Sequence, residues 1–184
     1  MKNRIALILL VASLFTGCGK GMQAEVEEVS RLQDSLKVAR TLLEEIDSVA
    51  VLEAYASYDR NVRFLKQHYA PTTVDTIMAK TLAGYKAIKP VGRQLKAEMT
   101  MIRQELLFTE TNLDALKQNI EAGTMNADTI KGYLDDENAA VTQLMMRIRG
   151  LNKSTVFALE MYRKHHPAVS ELVASIDTLH AETE

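Results

Sequence analysis

Two clusters in this sequence bring together residue types that could do chemistry: the pair His165-His166 and the acidic run Asp135-Asp136-Glu137. Neighbouring imidazoles suggest a metal, but successive residues on a helix point about 100° apart, so the pair cannot chelate one ion from a regular helix. No His-x-x-x-His or Glu-x-x-His spacing supplies further ligands, and His68 and His180 stand alone. The acidic run lies near a predicted helix start, where negative charge complements the helix dipole. Glu137 is its odd member because it falls on a core-facing position; a basic residue such as Arg31, expected at the same level, would be its natural partner. Ser30, Ser48 and Ser154 lack the His and Asp context of an activated nucleophile. No enzyme, metal or cofactor is expected.

The remaining chemistry is at the N-terminus, which reads MKNRIALILLVASLFTGC. Lys2 and Arg4 are followed by an apolar run from Ile5 to Phe15, broken only by Ser13, then by Thr16 and Gly17. Basic, apolar and small, in that order, is the layout of a secretory signal. The run is about 11 residues, against the roughly 20 that span a bilayer. Phe15-Thr16-Gly17-Cys18 resembles the lipobox of bacterial lipoproteins, with Phe15 where leucine is usual. The resemblance covers only the first twenty or so residues. It implies cleavage before Cys18 and a diacylglyceryl thioether on that cysteine. Two or more acyl chains make a stable anchor, at about 0.8 kcal/mol per buried methylene. Gly19, rather than an aspartate, after the cysteine resembles the default for outer-membrane sorting. The expected organisation is therefore a signal peptide over 1–17, a lipidated Cys18 and flexible tether over 18–22, and a helical body over 23–184. The expected location is the cell envelope, on the outer membrane facing the periplasm.

Cleavage would remove Lys2 and Arg4 and no acid, moving the formal charge from −2 to about −4. Cys18 is the only cysteine, so no internal disulfide can form. Tryptophan is absent and aromatics make up 5% of residues, a poor supply for stacking sugars or single-stranded nucleic acid. With an acidic balance and export, no nucleic-acid partner is expected.

The elements that carry these residues are helices. Strong helix formers dominate after Met22, and the only prolines are Pro71, Pro90 and Pro167. Three long helices are predicted, at about 23–69, 73–122 and 127–182. From Val74 to Ile120 apolar residues alternate steps of four and three, in a phase that holds through Pro90. From Ile130 to Leu179 the same spacing holds through Pro167. Spacing sustained over many heptads indicates coiled-coil-like packing, so both prolines are read as kinks. The first helix carries two phases that slip by one residue near Val49 to Leu52. Thr72 or Thr73 is expected to cap the second helix, Gly123 to end it, and Asn126 to cap the third. Short connections make neighbours antiparallel. The expected fold is all-α: an elongated antiparallel three-helix, coiled-coil-like bundle with kinks near Pro90 and Pro167. Leu42, Leu107, Met145 and Leu159 add apolar surface beyond a two-helix seam. Hairpin arithmetic places Ala50, Gly92 and Ala158 at one narrow level.

One segment breaks the pattern. From Thr155 to Tyr162 the off-seam positions Val156, Phe157, Leu159 and Met161 are apolar as well. Either the chain after Pro167 folds back over them as a local fourth helix, or they form an open patch where a partner docks. The open patch is preferred. The functional expectation is a membrane-anchored helical spacer or adaptor that binds another envelope protein or itself. The alternative is a ligand-binding bundle with a cavity near the kinks; a small-molecule ligand is not the leading expectation.

Overall fold

The computed structural model describes residues 22–70 and 75–181, with side chains through Leu179. The expected signal peptide over 1–17, Cys18 with residues 19–21 of its tether, and the capping candidates Thr72 and Thr73 lie outside the described residues. Among the described residues five helices follow in order: α1 (Gln23–Glu44), α2 (Ser48–His68), α3 (Thr76–Tyr85), α4 (Ile88–Glu121) and α5 (Ala127–Ala181). No strand occurs among the described residues. The described residues form two compact units, one from residues 22–40 with Gln104–Met146, the other from residues 41–103 with residues 147–181. Each is an all-α, antiparallel bundle of three helical strands.

In the first unit, Gln33 of α1 donates to Asp114 of α4 at 2.7 Å, and Arg40 pairs with Glu110 at 2.6 Å. Rising numbers on one helix meet falling numbers on the other, so the two run antiparallel. Their seam is the predicted one: Val29, Leu36, Leu106, Leu113, Ile130 and Leu144 are all buried. The turn from α4 to α5 closes as its residues dictate. Gly123 sits at φ +64, Thr124 N–H reaches back to Asn119 O and Gly123 N–H to Ile120 O, a Schellman ending. Asn126 then caps α5 through Thr129 N–H at 2.9 Å.

The second unit shows where the first predicted helix was too long. The chain breaks after Glu44 and restarts at Ser48, with the Asp47 carboxylate accepting from Ala50 N–H at 2.9 Å. Ile46 and Val51 are both buried, a step of five residues across the break. The one-residue slip between the two hydrophobic phases is therefore absorbed by ending one helix and capping the next. It is not spread over a continuous coil, and it falls a few residues earlier than Val49–Leu52. The second predicted helix begins at Thr76 rather than 73, because Asp75 caps it through Ile77 and Met78 N–H.

A further break at Lys86-Ala87 lies just before Pro90. Proline has no N–H to give the carbonyl of Lys86 four residues back. Lys89 N–H bonds that carbonyl instead at 3.0 Å, a tighter i to i−3 closure. Pro90 itself falls in the first turn of α4, where a missing N–H costs little. The burial phase still carries across, from Tyr85 to Ile88 to Leu95. α5 remains α-helical through Pro167 to Ala181. Because that helix is continuous, residues 169–179 do not return over Phe157, and the fold-back alternative is set aside.

The expected waist is corrected. Gly92 packs on Tyr55, not Ala50; a Cβ at Gly92 would strike Cβ and Cγ of Tyr55. Five residues separate the two positions on α2, about 7.5 Å along a helix. The connection between α2 and α3 is longer than a tight hairpin, which shifts the register.

Candidate functional site

The four residues of the expected patch do not stay together. Val156 is 49% exposed and Phe157 56%, but Leu159 is buried at 8% and Met161 is only partly exposed. Helical geometry explains the division. Thr155, Ala158 and Leu159 share the inward face of α5, while Val156 and Phe157 project from the other side. Leu159 belongs to the core. The exposed pair is flanked along one stripe of the helix by Arg149, Asn152, Lys153 and Glu160, which with it line a shallow depression. The stripe combines two cations and one carboxylate with two apolar side chains.

Leu107, counted on sequence with the core, is 64% exposed, and Phe108 beside it 67%. Leu106 and Thr109 hold the seam instead, and residue 107 is turned about 100° away from 106. The signal that could have found this was the same stepwise phase that identified Leu106.

The histidine pair divides between two neighbours. His165 lies over Gly84, where any Cβ would meet its ring. His166 stacks on Tyr162 at 4.6 Å and on Tyr85 at 5.8 Å between centroids. Tyr85 is fully buried at the centre of this aromatic group, with Tyr58 5.3 Å away. Its hydroxyl accepts from the Asn61 amide at 3.2 Å and shares a 3.1 Å hydrogen bond with Nδ1 of His166. Burial pushes the Tyr85 phenol up to about 12, and burial lowers the His166 imidazole below its usual value. A neutral imidazole and a protonated phenol suit each other: with Asn61 donating to the oxygen, the phenol proton is left for Nδ1. The arrangement is that of a satisfied polar core.

Glu137 is placed differently from the sequence expectation. Its carboxylate accepts from the Asn112 amide at 3.0 Å and has no bond to Arg31. Burial raises its pKa, partly offset by that hydrogen bond, with Asp136 adding a further upward push. Among the described residues no group of three or more His, Cys, Asp or Glu side chains is placed to hold a metal ion.

No family model, curated protein or solved structure matches this chain. Its function must be read from its own residues. Among the described residues no helix is long and apolar enough to cross a membrane.

Proposed function

We propose that the protein is a lipid-anchored helical adaptor of the bacterial cell envelope, held by Cys18 to the outer membrane on its periplasmic side and docking a partner protein through α5. The observation that carries the docking half is the exposure of Val156 and Phe157 on a continuous helix. Aromatic side chains in such positions make efficient anchors in a partner's pocket. Arg149 and Lys153 on the same stripe favour a partner surface that sets carboxylates around an apolar pocket. The lipobox-like Phe15-Thr16-Gly17-Cys18 supports the anchor half.

The test uses intact cells. Cys18→Ser is expected to abolish incorporation of labelled fatty acid, and globomycin to accumulate the precursor; continued labelling of the mutant refutes the anchor. Crosslinking and pull-down of Phe157→Asp, with helicity checked by circular dichroism, is expected to lose the partner or the second copy. Undiminished association removes this face as the docking site.

A second reading has one observation in its favour. Beside the Pro90 break, Pro90, Val91, Leu95 and Leu151 line a depression of about 430 Å³, bordered by the Arg147–Glu98 ion pair at 2.7 Å. An apolar ligand seated there would place function at the kink, and Leu151→Arg would abolish its binding while leaving association through Phe157 intact.

A further inference from the structure

The turn between α4 and α5 encloses a cleft of about 280 Å³, lined by Asn112, Leu116, Asn119, Met125, Tyr133 and Glu137 among others. At about 30 Å³ per water that is space for roughly nine molecules, or a ligand of similar heavy-atom count. Its walls are apolar, from the buried Leu116, the half-buried Met125 and the ring of Tyr133. Its polar groups are biased in one direction. A carboxylate can only accept, so the 3.0 Å contact fixes the Asn112 amide with Nδ2 toward Glu137. The Asn119 Nδ2 is likewise committed to the carbonyl of Ala115 at 2.9 Å. Asn112 thus spends a donor internally and keeps its Oδ1 as an acceptor, whereas the Asn119 Oδ1 already accepts from the Thr124 hydroxyl at 3.1 Å. Oδ1 of Asn112 and Oε2 of Glu137 take no further hydrogen bond among the described residues. The cleft is a negatively charged, acceptor-rich recess with a greasy wall.

A carboxylate at a heptad core position is costly to folding, since partial desolvation disfavours its charge. Here it opens onto a cleft, and no cation of the described residues pairs with it. A metal ion is a poor complement: one carboxylate and two amide oxygens fall short of the six to eight oxygens a calcium ion takes. A guanidinium fits less well than an ammonium, because Asn112 already occupies Oε1 and interrupts the two-oxygen face that a guanidinium fork requires. We propose that this cleft binds a small organic ammonium ion, its N–H groups on Glu137 and the Asn112 Oδ1 and its carbon skeleton against Leu116 and the Tyr133 ring. Charge-assisted hydrogen bonds to a partly desolvated carboxylate supply the affinity, and the aromatic face adds cation–π attraction. The site is separate from the docking stripe on α5 and holds whether or not that stripe binds a partner.

The experiment titrates the full chain in nonionic detergent with phenethylammonium, following side-chain amide signals of Asn112 and Asn119 by NMR. Saturable shifts are expected. Phenethyl alcohol and 3-phenylpropionate, the neutral and anionic counterparts, are expected to bind at least about tenfold more weakly, as loss of a hydrogen bond to a charged group implies. Glu137→Gln keeps an acceptor for Asn112 and removes the charge, and should weaken the ammonium by a similar factor. The same variant should unfold at a higher temperature at pH 7. The folded pKa of Glu137 is raised, so the native state loses stability as pH climbs through the window above the unfolded value of 4.5, and a neutral amide removes that loss. A more stable variant that no longer binds separates recognition from folding. Nα-acetyl-lysinamide distinguishes the ligand's source: tighter binding than phenethylammonium assigns the ammonium to a partner's lysine, and weaker binding to a free amine. Equal binding of the alcohol, undiminished binding by Glu137→Gln, or no saturable shift with either ammonium overturns the proposal.

Discussion

Gly92 and Gly150 show how one residue type can have opposite meanings within one unit. Both are helical, but a side chain at Gly92 meets the rigid base of Tyr55, whereas at Gly150 it meets open space. Gly92→Ala should therefore destabilise by about 1–3 kcal/mol through overpacking. Gly150→Ala should stabilise by about 0.5–1 kcal/mol, because alanine loses less backbone entropy in a helix. Urea unfolding of the two variants measures both signs. His166 is a second residue, besides Glu137, whose environment makes folding depend on pH. Its folded pKa lies below the ordinary value of 6.5, so the unfolded chain binds more protons as pH falls through 6.5. Stability present above pH 6.5 should decline through the window between 6.5 and the lowered folded value. Thermal melts of His166→Gln should show a flatter profile there. Neighbouring groups will shape the curve: Tyr85, Tyr162 and Ser170 all contact the ring.

Helix ends, more than helix interiors, set the layout of the elements. Asp47 caps α2 where the hydrophobic phase slips, and Asp75 caps α3 with two backbone N–H groups. Asp47→Ala should cost about 0.5–2 kcal/mol. Gly123 turns the chain between α4 and α5 at a positive φ with nothing near its missing side chain. Gly123→Ala should thus cost about 1–2 kcal/mol by backbone strain alone, with no packing contribution, and Gly123→Asn should cost less. The differences are read from chemical denaturation midpoints. Gly123 and Asn126 were legible in the sequence because each has a local, single-residue reason to be there. Asp47 was missed although Ile46-Asp47-Ser48 has a capping residue beside a serine. The continuous run of helix formers on either side concealed it, and only the slip in phase pointed to a discontinuity.

For the whole molecule, the proposed anchor at Cys18 and the proposed docking face at Phe157 lie on different parts of the chain, so their loss should be separable. Cys18→Ser is expected to release the protein from membranes yet leave partner capture by Phe157 intact. Phe157→Asp is expected to do the reverse. Fractionation of lysates followed by crosslinking distinguishes the two, and a Cys18→Ser protein that still sediments with membranes contradicts the reading. Surface ion pairs should matter little by comparison: Arg147 and Glu98 are each about a third exposed, and such a pair contributes about 0–1 kcal/mol.

Helix content, the antiparallel order, the seams from Val29 to Ile46 and from Tyr85 to Ile120, and the ending at Gly123 were determined by the sequence alone. Each follows from periodicity or from the conformational preference of a single residue, and both act over a few neighbouring positions. Tertiary structure decided what depends on a second helix. It set Gly92 against Tyr55, because the register comes from the real length of the connection between α2 and α3. It divided Leu159 from Phe157, because burial depends on which arc of α5 its neighbours cover. It gave Glu137 an asparagine for a partner and an open cleft beside it, because the level at which side chains meet depends on the packing of α4 against α5, and sequence spacing only approximates that level.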